Sequence, residues 1–219
     1  MNKQSIKKLT VSAMLTALAF MVTFLTAMFK VGGFLSLDLK DAVLSIVALL
    51  YGPLYGFISV LVVALVEFFT FSSTGWYGLV MNILSSGIFV LVCGTVYKYK
   101  RDFYGALFSA ILTVVSVTAV MLVANIFITP LYFGMPRQTV LDMLLPLILP
   151  FNICKSVMNS SVMLLVYKPF TSALKKTGLI KSEGTPYTFD KKTVALTAVT
   201  ILLILAALFC LFYIGIDIK

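Results

Sequence analysis

YGALFSAILTVVSVTAVMLVANIFIT, residues 104–129, runs for 26 positions without one Asp, Glu, Lys or Arg. A helix that crosses a bilayer needs about 20 mostly apolar residues, because the hydrocarbon core is roughly 30 Å thick. This stretch satisfies that length with room to tilt. Similar apolar runs occupy residues 10–29, 53–71, 77–97, 142–168 and 193–215, and a shorter one lies at 40–51. Gly52-Pro53 closes the short run with a tight turn into the next. The first run is too long for a signal peptide and lacks a small-residue cleavage site. The chain is 61% hydrophobic and 11% charged, whereas soluble domains carry roughly 25% charged residues. That composition excludes an ordinary soluble domain and also disorder. The expected fold is all-α: an integral membrane helical bundle with a six-helix core over 1–180. A cytoplasmic linker over 181–192 and an accessory C-terminal transmembrane helix over 193–219 complete it.

The charges lie mostly in the gaps between these runs. Net charge is +9, from 17 Lys+Arg against 8 Asp+Glu, and the partner expected for that excess is the lipid bilayer with its anionic inner leaflet. No nucleic acid is implied. Placing the amino end inside puts Lys3, Lys7, Lys8, Lys98, Lys100, Arg101, Lys168, Lys175, Lys176, Lys181, Lys191 and Lys192 on the inner face. Only Lys30, Lys40, Arg137 and Lys219 then face outward, as the positive-inside rule requires. A re-entrant second run would spoil this asymmetry. The expected topology has a cytoplasmic amino end and an extracellular carboxyl end.

Polar groups at membrane depth are costly, and they mark candidate sites. Glu67, Asn82, Asn125, Asn152 and Lys155 all fall in the outer half of their runs or near the midplane. That pattern is what a pocket opening to the outside requires. Asn152, Lys155 and Asn159 are spaced i, i+3, i+7 and share one helix face, with Ser156 and Ser160 beside them. Pro146 and Pro150 precede the stripe, and each bends the helix and frees a carbonyl. Buried Asn and Ser also serve as glue between helices, for about 0.6 kcal/mol. An ammonium at this depth, however, needs an acceptor, so Lys155 points to function. Glu67 is close enough to the interface to be solvated or to pair with Lys40 or Lys30. Asp38 and Asp41 either cap the second helix through its dipole or contact a ligand, with capping the commoner role.

Residues 30–39 (KVGGFLSLDL) form an outer loop rich in apolar side chains, either a lid over a pocket mouth or a segment packed on the bundle. Thr129 to Asp142 is the other long outer segment, with Tyr132, Phe133 and Arg137 as an interfacial belt or a ligand-facing group. Ala13 and Ala17 have small-xxx-small spacing, which lets helices approach closely. The Gly52…Gly56 pair has the same spacing but is placed in a turn and given no weight. The three cysteines (Cys93, Cys154, Cys210) sit in apolar runs as free thiols. Without His, a Walker A loop, HExxH or GxSxG, binding or transport is favoured over catalysis, with no cofactor and no metal.

These features resemble the substrate-binding S components of energy-coupling factor (ECF) transporters, and within them the riboflavin transporters. The segments that carry the likeness are LSLDLKD (35–41), YGPLYG (51–56), NIFITPLY (125–132) and PFNICK (150–155). The resemblance covers about residues 8–180. It implies uptake of a vitamin without catalysis, in the membrane of a bacterial cell, with a membrane T component and two cytosolic ATPase subunits as partners. It implies that Ala13 and Ala17 face the T component and that Asn125, Asn152 and Lys155 contact a flavin ring. Asn82, Glu67 and Asp38 complete the expected substrate-binding set. A seventh span has no counterpart in such proteins. The alternatives are an S component for another vitamin or small metabolite, an intramembrane enzyme using Glu67 and Asp residues, and a self-sufficient secondary transporter, for which inverted repeats are expected.

Overall fold

The computed structural model describes residues 3–26, 30–31, 35–99, 103–176 and 191–217. Eight α-helices follow in order: α1 Lys3–Thr26, α2 Lys40–Tyr51, α3 Pro53–Thr70, α4 Gly75–Tyr99, α5 Phe103–Phe133, α6 Arg137–Met143, α7 Leu149–Lys176 and α8 Lys191–Asp217. A π-helical turn, Leu144–Ile148, joins α6 to α7 without a break. Pro146 lies in that turn; it has no N–H to donate and so cannot complete a regular i→i−4 ladder. Among the described residues, five segments are long and apolar enough to cross a membrane: α1, α3, α4, α5 and the fused Arg137–Tyr167.

α2 is, as its run length predicts, short for a full crossing. Its 12 residues span only about 18 Å at 1.5 Å per residue, well short of the core thickness. It packs instead against α1, α3, α4 and α7, and protein rather than lipid surrounds it. Two glycines permit this approach. A Cβ built on Gly56 of α3 would stand 2.7 Å from the Ala48 Cβ, and one on Gly94 of α4 would stand 2.9 Å from it. Gly56 is therefore a helix-packing residue in α3, not a turn residue; the turn is made by Gly52 alone, at φ 102°.

The outer segments and the last helix take definite places. The 30–39 loop contains a short antiparallel pair, β1 Lys30–Val31 with β2 Leu35–Ser36, while Gly32 and Gly33 lie outside the described residues. Leu35 and Leu37 are buried in one apolar cluster with Leu147, Phe151 and Cys154 of the α7 region and Ala207 and Leu211 of α8. The segment is packed on the bundle. The outer segment after Thr129 is mostly helical, because α5 continues through Pro130 to Phe133 and α6 follows at once. α8 packs along α7 and touches β1. The linker over 181–192 lies outside the described residues as far as position 190.

Candidate ligand site

The carboxyl-terminal ends of α1 and α3, the amino-terminal part of α4, the later half of α5 and the first turns of α7 meet at one end of the bundle. They enclose, with β2, a cavity of about 370 Å³, within the range of small-molecule pockets. Its apolar lining includes Phe24, Phe71, Tyr77, Met81, Met121 and Phe151, and its polar lining includes Glu67, Asn82, Asn152 and Lys155. Four of the six expected binding residues thus come from three different helices to one cavity.

The charged groups beside this cavity form a continuous network. The Lys155 ammonium donates to Asp38 Oδ2 at 2.9 Å, and Lys40 stands 3.6 Å from the same oxygen. Lys40 also donates to Glu67 Oε2 at 2.9 Å, and Asn82 Nδ2 donates to Glu67 Oε1 at 2.9 Å. Asp38 is 2% exposed and Lys40 1%. Such buried ions persist only when paired, since a lone charge costs several kcal/mol to desolvate. Asp41 is buried too, and among the described residues it makes no ion pair.

Asp41 lies in the first turn of α2, where the dipole favours it, but neither Asp38 nor Asp41 makes a hydrogen bond that caps the helix. Leu39 occupies the cap position, and no side chain of its own segment bonds the helix end. The cap comes from α7: Asn159 Oδ1 accepts from the Ala42 N–H at 2.9 Å, and Asn159 Nδ2 donates to the Asp38 carbonyl at 2.9 Å. The polar stripe of α7 is therefore divided. Lys155 and Asn159 hold residues 38–42 in place, and Asn152 and Lys155 face the cavity.

Asn125 is fully buried and does not line the cavity. Its Nδ2 donates to the Met121 carbonyl at 2.8 Å, and its Oδ1 accepts from Thr129 Oγ1 at 2.9 Å. Thr129 has one hydroxyl proton, so the Tyr77 hydroxyl, 2.9 Å away, donates to Thr129. Asn125 thus reaches the cavity wall through Thr129 and Tyr77. Tyr132 stacks on Tyr77 at 4.3 Å and, like Phe133, remains exposed, as an interfacial belt requires. Tyr77, Phe71 and Ser72–Thr74 line the cavity without having been singled out from the sequence; the Phe-Ser-Ser-Thr junction between two apolar runs was the available signal.

On α1, Val11, Leu15 and Ala19 are buried, whereas Ala13 and Ala17 lie on the exposed face with Met14 and Leu18. The small-residue pair therefore does not serve the internal bundle. Cys93, Cys154 and Cys210 are all free.

The family model described as "ECF transporter, substrate-specific component" matches residues 7–167. The riboflavin transporter RibU of Staphylococcus aureus (strain TCH60) is 28% identical over 183 residues, covering 80% of this chain and 96% of the relative. The riboflavin transporter FmnP of Bacillus subtilis (strain 168) is 26% identical over 172 residues, covering 74% and 90%. A solved S component of a bacterial ECF transporter superposes with a TM-score of 0.66 at 31% identity, covering 78% of this chain and 99% of that one.

Proposed function

Since the chain belongs to the substrate-specific components of ECF transporters, we propose that it is the riboflavin-binding membrane subunit of a vitamin uptake system. The observation that carries this reading is the cavity, in which a largely aromatic and apolar lining meets Asn152 and Lys155 at one wall. The polar edge of an isoalloxazine alternates carbonyl oxygens and ring nitrogens. Lys155 retains two donors after its bond to Asp38, and Asn152 retains one donor and its carbonyl after its Nδ2 bonds Ile148; together they offer both hydrogen-bonding senses. Both similar curated proteins carry riboflavin in their names. In this reading Asp38 orients Lys155, and Asn125 sets Tyr77 through Thr129. As a transport subunit the chain binds and releases its ligand unchanged.

The cavity opens outward if the amino end is cytoplasmic, as the positive-inside count requires. The exposed Ala13–Ala17 face of α1 is the surface for the membrane T component, and two ATPase subunits below it supply the energy. Riboflavin fluorescence quenching by the purified protein tests the substrate. Nanomolar quenching is expected with riboflavin and none with thiamine or biotin; the converse would reassign the vitamin. Lys155→Met is expected to weaken binding more than tenfold, since a charged hydrogen bond is worth about 1.5–3 kcal/mol. Replacing Ala13 and Ala17 with Trp is expected to abolish cellular uptake with binding by the isolated subunit intact; loss of both together would return the pair to the folded core.

A further inference from the structure

α7 and α8 meet along one seam, and each carries a cysteine into it. Cys154 belongs to the apolar cluster that Phe151, Met158, Ala207 and Leu211 also fill, and Cys210 packs against that cluster from α8. The two thiols interact directly across the seam. They differ in cover: Cys154 is 7% exposed, whereas Cys210 is only partly buried, next to the exposed Phe209. Cys93, the third cysteine, is fully buried and stands 3.8 Å from the Ser109 hydroxyl. Consecutive helical residues stand about 100° apart around the axis, so Cys154 turns to α8 while Lys155 turns to Asp38. Neither thiol lines the cavity. The seam is a separate place in the fold.

We propose that Cys154 and Cys210 are a redox-responsive pair that closes into a disulfide and fastens α8 to the core. A bridge needs the two Cβ atoms about 3.5–4.5 Å apart, so only side chains that already face each other can close it. The oxidant is a quinone dissolved in the bilayer, which reaches the partly buried Cys210 from the lipid side. Both S–H bonds break and one S–S bond forms. The two electrons and two protons pass to the quinone oxygens, giving a hydroquinone. On the topology proposed above, both thiols lie in the outer half of the membrane, away from the cytosolic thiols that reduce disulfides. With the pair reduced, α8 is held by its apolar stripe, which lipid tails replace at little cost. The bond makes that attachment covalent.

The test uses the full chain in lipid vesicles, treated with dithiothreitol or with a ubiquinone analogue, whose fully substituted ring resists thiol addition. Samples are denatured in excess maleimide and their free thiols counted. Of the three thiols, all are expected free after dithiothreitol and only Cys93 after quinone. Peptide mass spectrometry should then find Cys154 joined to Cys210 within one molecule. Cys154→Ser and Cys210→Ser should each keep both remaining thiols free after quinone; the second, at a partly exposed position, carries the test if the first fails to fold. The oxidised chain should also unfold at a higher temperature than the reduced one, and Cys210→Ser should abolish that difference. Three free thiols after quinone would overturn the pair, as would thiol loss that persists in Cys210→Ser or a bond to Cys93 or to a second molecule. A disulfide that leaves thermal unfolding unchanged would overturn the fastening.

Discussion

α2 and α8 are both apolar helices by sequence, yet their surroundings are opposite. α2 is short, is enclosed by α1, α3, α4 and α7, and buries nine of its 12 residues, Lys40 and Asp41 among them. α8 is 27 residues long, and among the described residues it packs along α7, with β1 and the Leu35–Leu37 segment beside it. Over residues 197–213 it buries only Thr200, Ala207 and Leu211, a single stripe at helical spacing. Lys40 is tolerated in α2 because the facing helix supplies a counter-charge, Glu67, at 2.9 Å. A helix that meets protein along one stripe leaves the rest of its surface to lipid and stays apolar.

The comparison breaks most readily at Asp38. Asp38→Asn leaves Lys155 and Lys40 without their shared carboxylate, and removing one partner of a buried ion pair costs about 3–5 kcal/mol. Thermal unfolding in detergent should show the largest loss of any single change in the molecule; an unchanged midpoint would mean that the network is solvated and α2 is not truly enclosed. Gly56→Val comes next. It drives a branched side chain into Ala48, and overpacking of this kind typically costs about 1–3 kcal/mol, again read by thermal unfolding. Truncation after Lys181 should have the smallest effect. α8 shares an apolar cluster with Leu35 and Phe151, but none of its residues lines the cavity. In a bilayer, lipid tails replace an apolar helix face at little cost, since there is no hydrophobic drive between helices. Riboflavin affinity of the truncated protein is expected within about threefold of the full chain, and loss of binding would make α8 part of the fold.

Much of this was legible in the sequence. The long runs predict the long helices because bilayer thickness sets a length that few other structures share. The i, i+3, i+7 stripe of Asn152, Lys155 and Asn159 identifies the polar face of α7, because helical geometry fixes which residues share a side. What stayed hidden depends on contacts between distant positions. Lys155 and Asp38 are 117 residues apart, and no local pattern pairs them. The Asn159 cap on α2 is equally remote, so the dipole argument assigned capping to the nearest carboxylates instead. Asn125 is spent on Thr129 and its own helix, a satisfaction that only side-chain rotamers reveal. Gly56 has no signal until Ala48 is found against it.

The π turn at Leu144–Ile148 sets the angular phase of everything after it. Each residue of an α-helix advances about 100° around the axis, so a turn that admits one extra residue rotates the following faces by that amount. Both faces of α7 depend on this offset: the one that sends Lys155 to Asp38 and the one that lays Phe151 and Cys154 against α8. Residues 144–148 therefore act as a rotational setting for the helix that carries the site. Changing their number by one would not lengthen or shorten a connection; it would exchange the polar face of α7 for an apolar one.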